Sequence, residues 1–218
     1  MDNQPGPGKP KIGVLIVEDQ RLPAELFQRY VEDSAQYTLT ASIESADAAY
    51  FYCAQGNVDL VLMDVITRLG ANGLAASARI KQAFPHIKII IVTSYPEVGW
   101  LERARQIGVD SFWYKEVEGE SLLSIMDRTM AGESIYPDRP PRVQLGNASS
   151  YELSKQELTI LRELITGATN SQIAEKFHLA PSTVKTYIER LMDKTGFRSR
   201  TELAVRARES GLVIQEDG

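Results

Sequence analysis

Five short apolar runs alternate with amphipathic stretches through the first half of the sequence, and this alternation constrains the fold more than any other feature. The runs are IGVLIV, YTLTASI, VDLVLM, IKIIIVT and DSFWY, at residues 12–17, 37–43, 58–63, 87–93 and 110–114. Stretches of helical length lie near 21–33, 45–55, 73–84, 96–107 and 119–131. Such alternation predicts an α/β fold, in which helices cover both faces of a parallel sheet.

A stretch rich in turn-forming residues separates this segment from the rest of the chain. It contains Pro137, Pro140 and Pro141, followed by Gly146 and Asn147, and it shows neither the helical nor the strand period. We therefore predict four parts in the chain of 218 residues. They are a disordered tail (1–10), an α/β domain (11–132), a linker (133–152) and a small all-α domain (153–215).

Composition narrows the class of protein. No run of about 18 apolar residues that could span a membrane occurs, and the first eleven residues contain no signal peptide. The single Cys53 cannot form an internal disulfide, which suits a reducing compartment. The net charge is -5, but the last 68 residues contain equal numbers of acidic and basic side chains, so the acidic excess lies earlier in the chain. We expect a soluble, cytoplasmic protein.

Polar side chains follow the predicted strands at their carboxyl ends. Glu18 and Asp19 follow the first run, Asp64 and Thr93 end the third and fourth, and Lys115 follows the fifth. Each of these side chains alone is more often a helix cap or a solvated loop residue than a functional group. Because ligands of doubly wound sheets bind at the carboxyl ends of the strands, however, we expect all five to converge on one crevice.

The predicted crevice has the chemistry of a phosphoryl-transfer site. Three gathered carboxylates repel one another and do not stay ionised without a cation, and oxygen ligands favour Mg²⁺. In such a site one aspartate can act as a nucleophile toward a phosphoryl group. The hydroxyl of Thr93 and the ammonium of Lys115 would then bind the transferred oxygens.

Four segments resemble the receiver domain of two-component response regulators: VEDQ (17–20), VLMD (61–64), VTS (92–94) and GVDSFWYKE (108–116). The resemblance covers about 120 residues. It implies a flavodoxin-like, doubly wound sheet of five parallel strands in the order 2-1-3-4-5. It also implies that a sensor histidine kinase phosphorylates Asp64.

The resemblance further assigns roles to the residues around Asp64. Mg²⁺ would be held by Glu18, Asp19, Asp64 and the backbone carbonyl of Ile66. Thr93 and Lys115 would contact the phosphoryl oxygens. Phe112, three residues before the lysine, would be the switch aromatic that turns inward as Thr93 moves.

The loop after Asp64 departs from the family pattern. Response regulators usually have Pro four residues after the phosphorylated Asp and Gly eight after it, whereas here Arg68 is fourth and Gly73 is ninth. We expect a loop that is one residue longer, with altered phosphorylation kinetics and an intact metal site. Ile66 and Tyr95 should flank the phosphoryl group, and neither can position an attacking water, so we also expect slow autodephosphorylation.

The final segment has the pattern of short capped helices. Ser154 with Glu157 and Thr169 with Gln172 have the spacing of capping boxes. Pro181 can open a further helix, PSTVKTYIERLMDK. Two helices joined by the tight turn at 178–180 predict a helix-turn-helix.

The helix that begins at Pro181 has two distinct faces. At about 100° per residue, Val184, Ile188 and Leu191 fall together and should face a core. The other side, with the residues just beyond it, is polar and has a basic excess that suits either a solvated helix face or a major-groove recognition helix. Our candidate DNA-binding residues are Ser182, Thr183, Lys185, Thr186, Glu189, Arg190, Lys194, Arg198 and Arg200.

The run from ELTILRELITG to GFRSRTEL resembles the LuxR-type helix-turn-helix, so the whole chain is similar to regulators of the NarL/FixJ class. By this resemblance Lys185, Thr186 and Glu189 face base edges. Phosphate contacts fall to Thr183, Lys194 and either Arg198 or Arg200. Leu203, Ala204 and Ala207 lie where the family dimerises.

These features predict a response regulator that accepts a phosphoryl group on Asp64 and binds operator DNA as a homodimer. Its partners would be a sensor histidine kinase, double-stranded DNA and, as a further candidate, RNA polymerase. It would not be an enzyme, apart from catalysing its own phosphotransfer and slow dephosphorylation.

An aspartyl-phosphate hydrolase is disfavoured because Ile66 stands where such enzymes have a second carboxylate. The alternative is a phosphorylation-independent DNA-binding regulator, with an atypical receiver used for dimerisation or sensing.

Overall fold

A computed structural model describes residues 10–115 and 120–214. The predicted tail, apart from its last residue, lies outside the described residues, as does residue 215. Contacts divide the chain into two compact units. The first extends to Pro137, except for Ser94–Gly99, which group with the second unit; the second otherwise begins at Asp138.

The first unit is an α/β domain with one parallel sheet of five strands in the order β2-β1-β3-β4-β5. The strands are β1 (Ile12–Val17), β2 (Tyr37–Ile43), β3 (Leu60–Met63), β4 (Lys88–Thr93) and β5 (Ser111–Tyr114). The helices are α1 (Arg21–Glu32), α2 (Ala46–Ala54), α3 (Gly73–Ala83), α4 (Val98–Ile107) and α5 (Leu122–Met130). The predicted strand order and fold class are confirmed.

The register of the central strands aligns their carboxyl ends. Val17 of β1 pairs with Met63 of β3, and Met63 pairs with Ile91 of β4. Apart from Lys88 and Thr93 at the two ends of β4, these strands are apolar, as expected for strands whose two faces are both buried. The residues that follow them therefore emerge together at one edge of the sheet, which is where the predicted crevice lies.

The second unit contains a short hairpin and four helices. The antiparallel strands are β6 (Gln144–Leu145) and β7 (Ala148–Ser149), and a 3₁₀ turn follows at Ser150–Glu152. The helices are α6 (Lys155–Leu164), α7 (Asn170–Lys176), α8 (Pro181–Thr195) and α9 (Arg200–Glu209). The hairpin lies within the predicted linker, where two-residue strands are too short to produce a strand period; only the Gly146–Asn147 turn marks it in the sequence.

Local signals in the second unit match the structure closely. Ser154 and Thr169 each cap their helix in a complete capping box, and Pro181 is the first residue of α8. Val184, Ile188 and Leu191 are buried together in the core of this unit, as their helical phase predicts. This core fixes the orientation of α8 and leaves its opposite face exposed.

Two further expectations about the class of protein can be compared with the structure. None of the helices within residues 10–115 and 120–214 is long and apolar enough to cross a membrane. Cys53 is free and buried in α2, and burial raises the pKa of its thiol to about 11. The thiol is therefore protonated and unreactive near neutral pH.

Candidate functional site

The predicted crevice forms at the carboxyl end of the sheet. Glu18, Asp19 and Asp64 each offer a carboxylate oxygen, and these oxygens lie within 4.8 Å of one another. The Nζ of Lys115 donates to Asp64 Oδ2 at 2.8 Å and also to a carboxylate oxygen of Glu18. Thr93 is buried at the end of the neighbouring strand β4. Residues that are up to 97 positions apart in the chain thus converge as the strand ends predict.

Burial creates electrostatic strain in this crevice. It raises the pKa of Glu18, and the charge of Asp64 raises it further. It also raises the pKa of Asp64, despite the opposing effect of Lys115. Burial acts to lower the pKa of Lys115, but the two carboxylates outweigh it and the pKa is raised. One ammonium group is therefore shared between two buried carboxylates, and the site has a deficit of positive charge.

The donor set fits a magnesium ion. Three carboxylates supply hard oxygen ligands, and a divalent cation would offset the charge that Lys115 alone does not balance. Asp19 is exposed at the rim, so the cluster opens to solvent. The backbone of Ile66 forms an isolated β-bridge with Asn72. The role of the Ile66 carbonyl as a further ligand stays a prediction.

Local backbone geometry orients the carboxylate of Asp64. The N–H of Val65 donates to Asp64 Oδ1 at 2.7 Å, while Lys115 binds Oδ2. Gly73, the first residue of α3, packs directly beneath, and a Cβ there would lie 1.9 Å from the carbonyl oxygen of Asp64. Only glycine allows this approach. This close approach explains why position 73 is a glycine, although it stands one residue later than the glycine of the family pattern.

The loop after Asp64, which we predict to be one residue longer than usual, is anchored to the end of β2. It is closed by the Ile66–Asn72 bridge. The backbone N–H of Arg68 donates to the Glu44 carbonyl at 3.0 Å, and the two side chains form an ion pair. The Thr67 hydroxyl accepts from the Ala46 N–H at 2.9 Å. These contacts hold the loop where the family pattern would have a proline, and the sequence alone did not reveal Thr67 or Glu44 as partners.

Leu69 lies at the tip of this loop. Its φ is 61°, in the left-handed region, and its side chain is 99% exposed. Gly70 also has a positive φ, of 78°. The tip of the loop is therefore a solvent-exposed turn with two residues in the left-handed region, where a longer loop could accommodate its extra residue.

The predicted switch aromatic lies in the core. Phe112 is buried in β5, and its ring centroid lies 5.0 Å from that of Tyr114 and 6.2 Å from that of Tyr136. The side chains of Ile66 and Tyr95, predicted to flank the phosphoryl group, are both half-buried. The structure does not test their influence on hydrolysis.

The candidate DNA-binding residues lie on and after the exposed face of α8. Thr183 and Arg200 are half-buried, and the others are exposed: Ser182, Lys185, Thr186, Glu189, Arg190, Lys194 and Arg198. Lys185 and Glu189 approach within 3.6 Å of each other on this face. The arrangement gives α8 an exposed polar face, while its entry into a groove and the individual base and phosphate contacts stay predictions.

Two of the predicted phosphate-binding cations already have partners inside the domain. Lys194 Nζ donates to Glu157 Oε2 at 2.8 Å and to the Glu152 carbonyl at 3.0 Å. The guanidinium of Arg200 donates to Asn170 Oδ1 at 2.5 Å and to the Ala168 carbonyl. Both residues therefore have structural roles that the sequence did not indicate, because any basic residue could pair with many acceptors.

The dimerisation residues require a correction. Leu203 and Ala207 are fully buried, because α9 packs its apolar face against α6 and α8. They belong to the core of the domain and are not exposed for contact with a second subunit. Ala204 is half-buried, and Val205 is the exposed large apolar residue of this helix.

Comparisons with known proteins give two family matches. The model for the response regulator receiver domain matches residues 14–127. The model for bacterial regulatory proteins of the luxR family matches residues 151–207. The first covers more than half of the chain, and the two matches are consecutive along it.

Individual relatives agree with these matches. The response regulator protein VraR of Staphylococcus aureus strain Mu3 is 27% identical over 208 residues, covering 93% of this chain and 99% of the relative. The fold is similar to that of RcsB in a structure of two dimers bound to two parallel DNAs. There the TM-score is 0.61 with 17% identity, and the match covers 90% of this chain and 98% of that one. A LuxR-family response regulator from an Aurantimonas species matches with a TM-score of 0.53 and 22% identity, over 58% of this chain and 89% of that chain.

Proposed function

We propose a phosphorylation-controlled activity on the premise that this chain belongs to the two-component response regulators that carry a receiver domain and a LuxR-type DNA-binding domain. In this proposal, Asp64 accepts a phosphoryl group from a sensor histidine kinase, and the protein then binds operator DNA as a homodimer. The observation that carries the proposal is the cluster of Glu18, Asp19 and Asp64 with the ammonium of Lys115 bound to Asp64.

The phosphotransfer follows from the chemistry of the crevice. An ionised oxygen of Asp64 attacks the phosphorus, the phosphorus–nitrogen bond of the donor breaks, and the electron pair leaves with the imidazole, which takes a proton. Lys115 already contacts Asp64 and would bind an oxygen of the incoming group, as would the hydroxyl of Thr93. Bound Mg²⁺ would neutralise developing charge and keep Asp64 ionised despite its raised pKa.

Treatment of the intact protein with acetyl phosphate and Mg²⁺, followed by mass spectrometry, tests the proposal. The unaltered protein should gain one phosphoryl group, and Asp64→Ala should gain none. Asp127→Asn is a matched control, because Asp127 is exposed and contacts Tyr37 away from the crevice. If the unaltered protein gains no mass, the phosphorylation-independent regulator becomes the better interpretation.

The lifetime of the phosphorylated state is a second part of the proposal. The half-buried, apolar Ile66 offers no hydrogen bond to an attacking water, so the aspartyl phosphate should decay slowly. Ile66→Asn should shorten its lifetime, measured as the loss of the added mass over time. An unchanged decay rate would remove Ile66 as the cause. Hydrolysis would be the only catalysis beyond the protein's own phosphotransfer.

DNA binding is the output in this proposal. The exposed face of α8 would enter the major groove, with Lys185, Thr186 and Glu189 toward base edges. Selection of binding sites from random DNA, with and without acetyl phosphate, would identify the operator and show whether paired half-sites require phosphorylation. Equal selection in both conditions would favour the phosphorylation-independent alternative. The position of the selected sites would then indicate whether RNA polymerase is a further partner.

A further inference from the structure

A short segment after α5 covers the free edge of β5. Among the described strands, β5 is the last of the sheet and pairs with β4 alone. Residues 134–136, which we call the strap, run along its other side. The N–H of Phe112 donates to the Ile135 carbonyl at 2.8 Å, and the Ile135 N–H donates to Ser111 Oγ at 3.1 Å. Ser134 Oγ donates to the Asp110 carbonyl at 2.8 Å.

The strap also contacts α4 and the loop that precedes β5. The hydroxyl of Tyr136 donates to the Val109 carbonyl at 2.9 Å. The guanidinium carbon of Arg105, in α4, lies 4.6 Å from the centroid of the Tyr136 ring, a cation–π distance. Tyr136 therefore binds the strap to two structural elements beside β5.

The strap contacts the predicted switch aromatic in two ways. The backbone of Phe112 is hydrogen-bonded to Ile135, and the ring of Phe112 lies 6.2 Å from the ring of Tyr136. A pocket of about 230 Å³, partly open to solvent, is lined by Phe112, Ile125, Ile135, Tyr136 and Pro137. The strap thus forms part of the wall of a pocket that Phe112 also borders.

The sheet connects the strap to the crevice. Thr93 pairs with Tyr114 and Ile91 pairs with Phe112 in the parallel register of β4 and β5. Because alternate residues of a strand share a face, Thr93, Tyr114 and Phe112 project from the same side of the sheet. The rings of Tyr114 and Phe112 are 5.0 Å apart. Contacts therefore continue from the strand that ends at Thr93 to Tyr136.

We infer that the strap transmits the state of Phe112 to the segment leading into the DNA-binding domain, with Tyr136 as its positioning residue. This inference rests on the proposed function, in which phosphorylation of Asp64 changes the position of Thr93 and Phe112. When Phe112 moves, its hydrogen bond to Ile135 weakens, and the chain from Ile135 onward is released from β5. A strap that only protects an edge strand would not respond to phosphorylation.

Amide hydrogen exchange of the full chain, with and without acetyl phosphate and Mg²⁺, tests this inference. Exchange at the amides of Phe112 and Ile135 should accelerate roughly fivefold on phosphorylation, the effect of losing one net hydrogen bond. Complete phosphorylation without a change at these amides would overturn the inference.

Variants of Tyr136 separate transmission from simple edge protection. Tyr136→Ala should take up the phosphoryl group normally, but its strap should exchange rapidly in both states. Tyr136→Phe retains the ring and loses only the bond to Val109, so it should keep the phosphorylation-dependent difference. Tyr50→Ala is a matched control, because Tyr50 is a partly exposed aromatic residue of α2. A Tyr136→Ala protein that retains the full difference would contradict the role of Tyr136.

A separate variant distinguishes failure of the strap from failure of the proposed function. If no phosphoryl group is gained, the proposed function fails. Phe112→Ala then tests the link between the ring and the strap directly, without a phosphodonor. It should accelerate exchange at the Ile135 amide relative to the unaltered protein. No acceleration would overturn the inference whatever the outcome at Asp64.

Discussion

Each domain buries carboxylates beside a lysine, with opposite electrostatic results. In the helical domain, burial acts to raise the pKa of Glu157, but Lys194 and the capping interactions of Ser154 outweigh it and the pKa is lowered. In the receiver, burial raises the pKa of both Asp64 and Glu18, although both contact Lys115. Both sites combine a lysine with carboxylates, but Lys194 pairs with one buried carboxylate, whereas Lys115 is shared between two.

The difference separates a structural ion pair from a ligand site. Glu157 has its own lysine and accepts the Ser154 N–H at 2.8 Å, so its charge stabilises the fold. Lys115 serves two buried carboxylates, with Asp19 nearby, so the fold tolerates an excess of negative charge. Perturbed groups of this kind are typical of functional sites, where a ligand supplies the missing charge.

The largest effect should come from removing the structural carboxylate. Glu157→Ala loses the carboxylate half of the α6 capping box and the partner of Lys194, and it should lower the free energy of unfolding of the helical domain by about 2 kcal/mol. Amide exchange in α6 of the full chain measures this change. Glu209→Ala, which removes only the exposed pair with Arg206, is the control. Equal losses for the two variants would contradict the contrast.

The functional carboxylate should respond in the opposite direction. Asp64→Asn removes a charge whose pKa is raised in the folded state, so without Mg²⁺ at pH 7 it should stabilise the receiver by about 1 kcal/mol. Urea unfolding followed by the fluorescence of Trp100 and Trp113 measures it. Mg²⁺ should stabilise the unaltered receiver and have little effect on the variant. Destabilisation by Asp64→Asn would show that Lys115 balances the site after all.

Two basic residues, Lys194 near the end of α8 and Arg198 just after it, sharpen the contrast within the helical domain. Arg198→Ala should weaken DNA binding by about tenfold and reduce the salt dependence by about one phosphate contact, with stability unchanged. Lys194→Ala should also lower stability, because it leaves Glu157 unpaired. DNA titrations at several salt concentrations, with thermal unfolding of each variant, measure both properties. Loss of stability in Arg198→Ala would contradict this division.

Acid should affect the Glu157 pair in a defined range. Because the folded-state pKa of Glu157 lies below its ordinary value of 4.5, its contribution is present above pH 4.5 and is lost as pH falls through the lower value. Glu157→Gln should therefore show a smaller loss of α6 protection between pH 5 and pH 3, by about 1 kcal/mol. Parallel losses in the two proteins would mean that other groups govern acid unfolding there.

The smallest effect concerns one strained residue in each domain. Leu69 and His178 have positive φ values of 61° and 55°, which cost an L-residue about 1 kcal/mol. Glycine relieves this strain and loses more chain entropy, so each substitution should stabilise its domain by only a few tenths of a kcal/mol. Thermal unfolding measures both changes. Destabilisation by either substitution would indicate side-chain contacts that outweigh the strain.

The sequence predicted those features whose signals are local or periodic. The apolar runs placed all five strands, and the residues after them placed Glu18, Asp64 and Lys115 in one crevice. Capping boxes and helical phase placed α6, α7 and the buried face of α8. These predictions succeeded because short-range hydrogen bonds and burial determine them.

Other features depend on pairs that are distant in the sequence. Nothing in the positions of Arg68 and Glu44, or of Arg200 and Asn170, identifies them as partners, since each has many alternatives. The burial of Leu203 and Ala207 depends on which face of α9 meets α6 and α8. The strap at 134–136 lacks a period because it follows one edge for only three residues.

The buried thiol of Cys53 makes the protein convenient for spectroscopy. Since this thiol is buried and its pKa is raised to about 11, a maleimide at neutral pH should leave it unmodified. A cysteine introduced at an exposed position such as Leu69 would then be the one reactive site in an otherwise natural chain. Fluorophores or spin labels could be attached there without first removing a native residue.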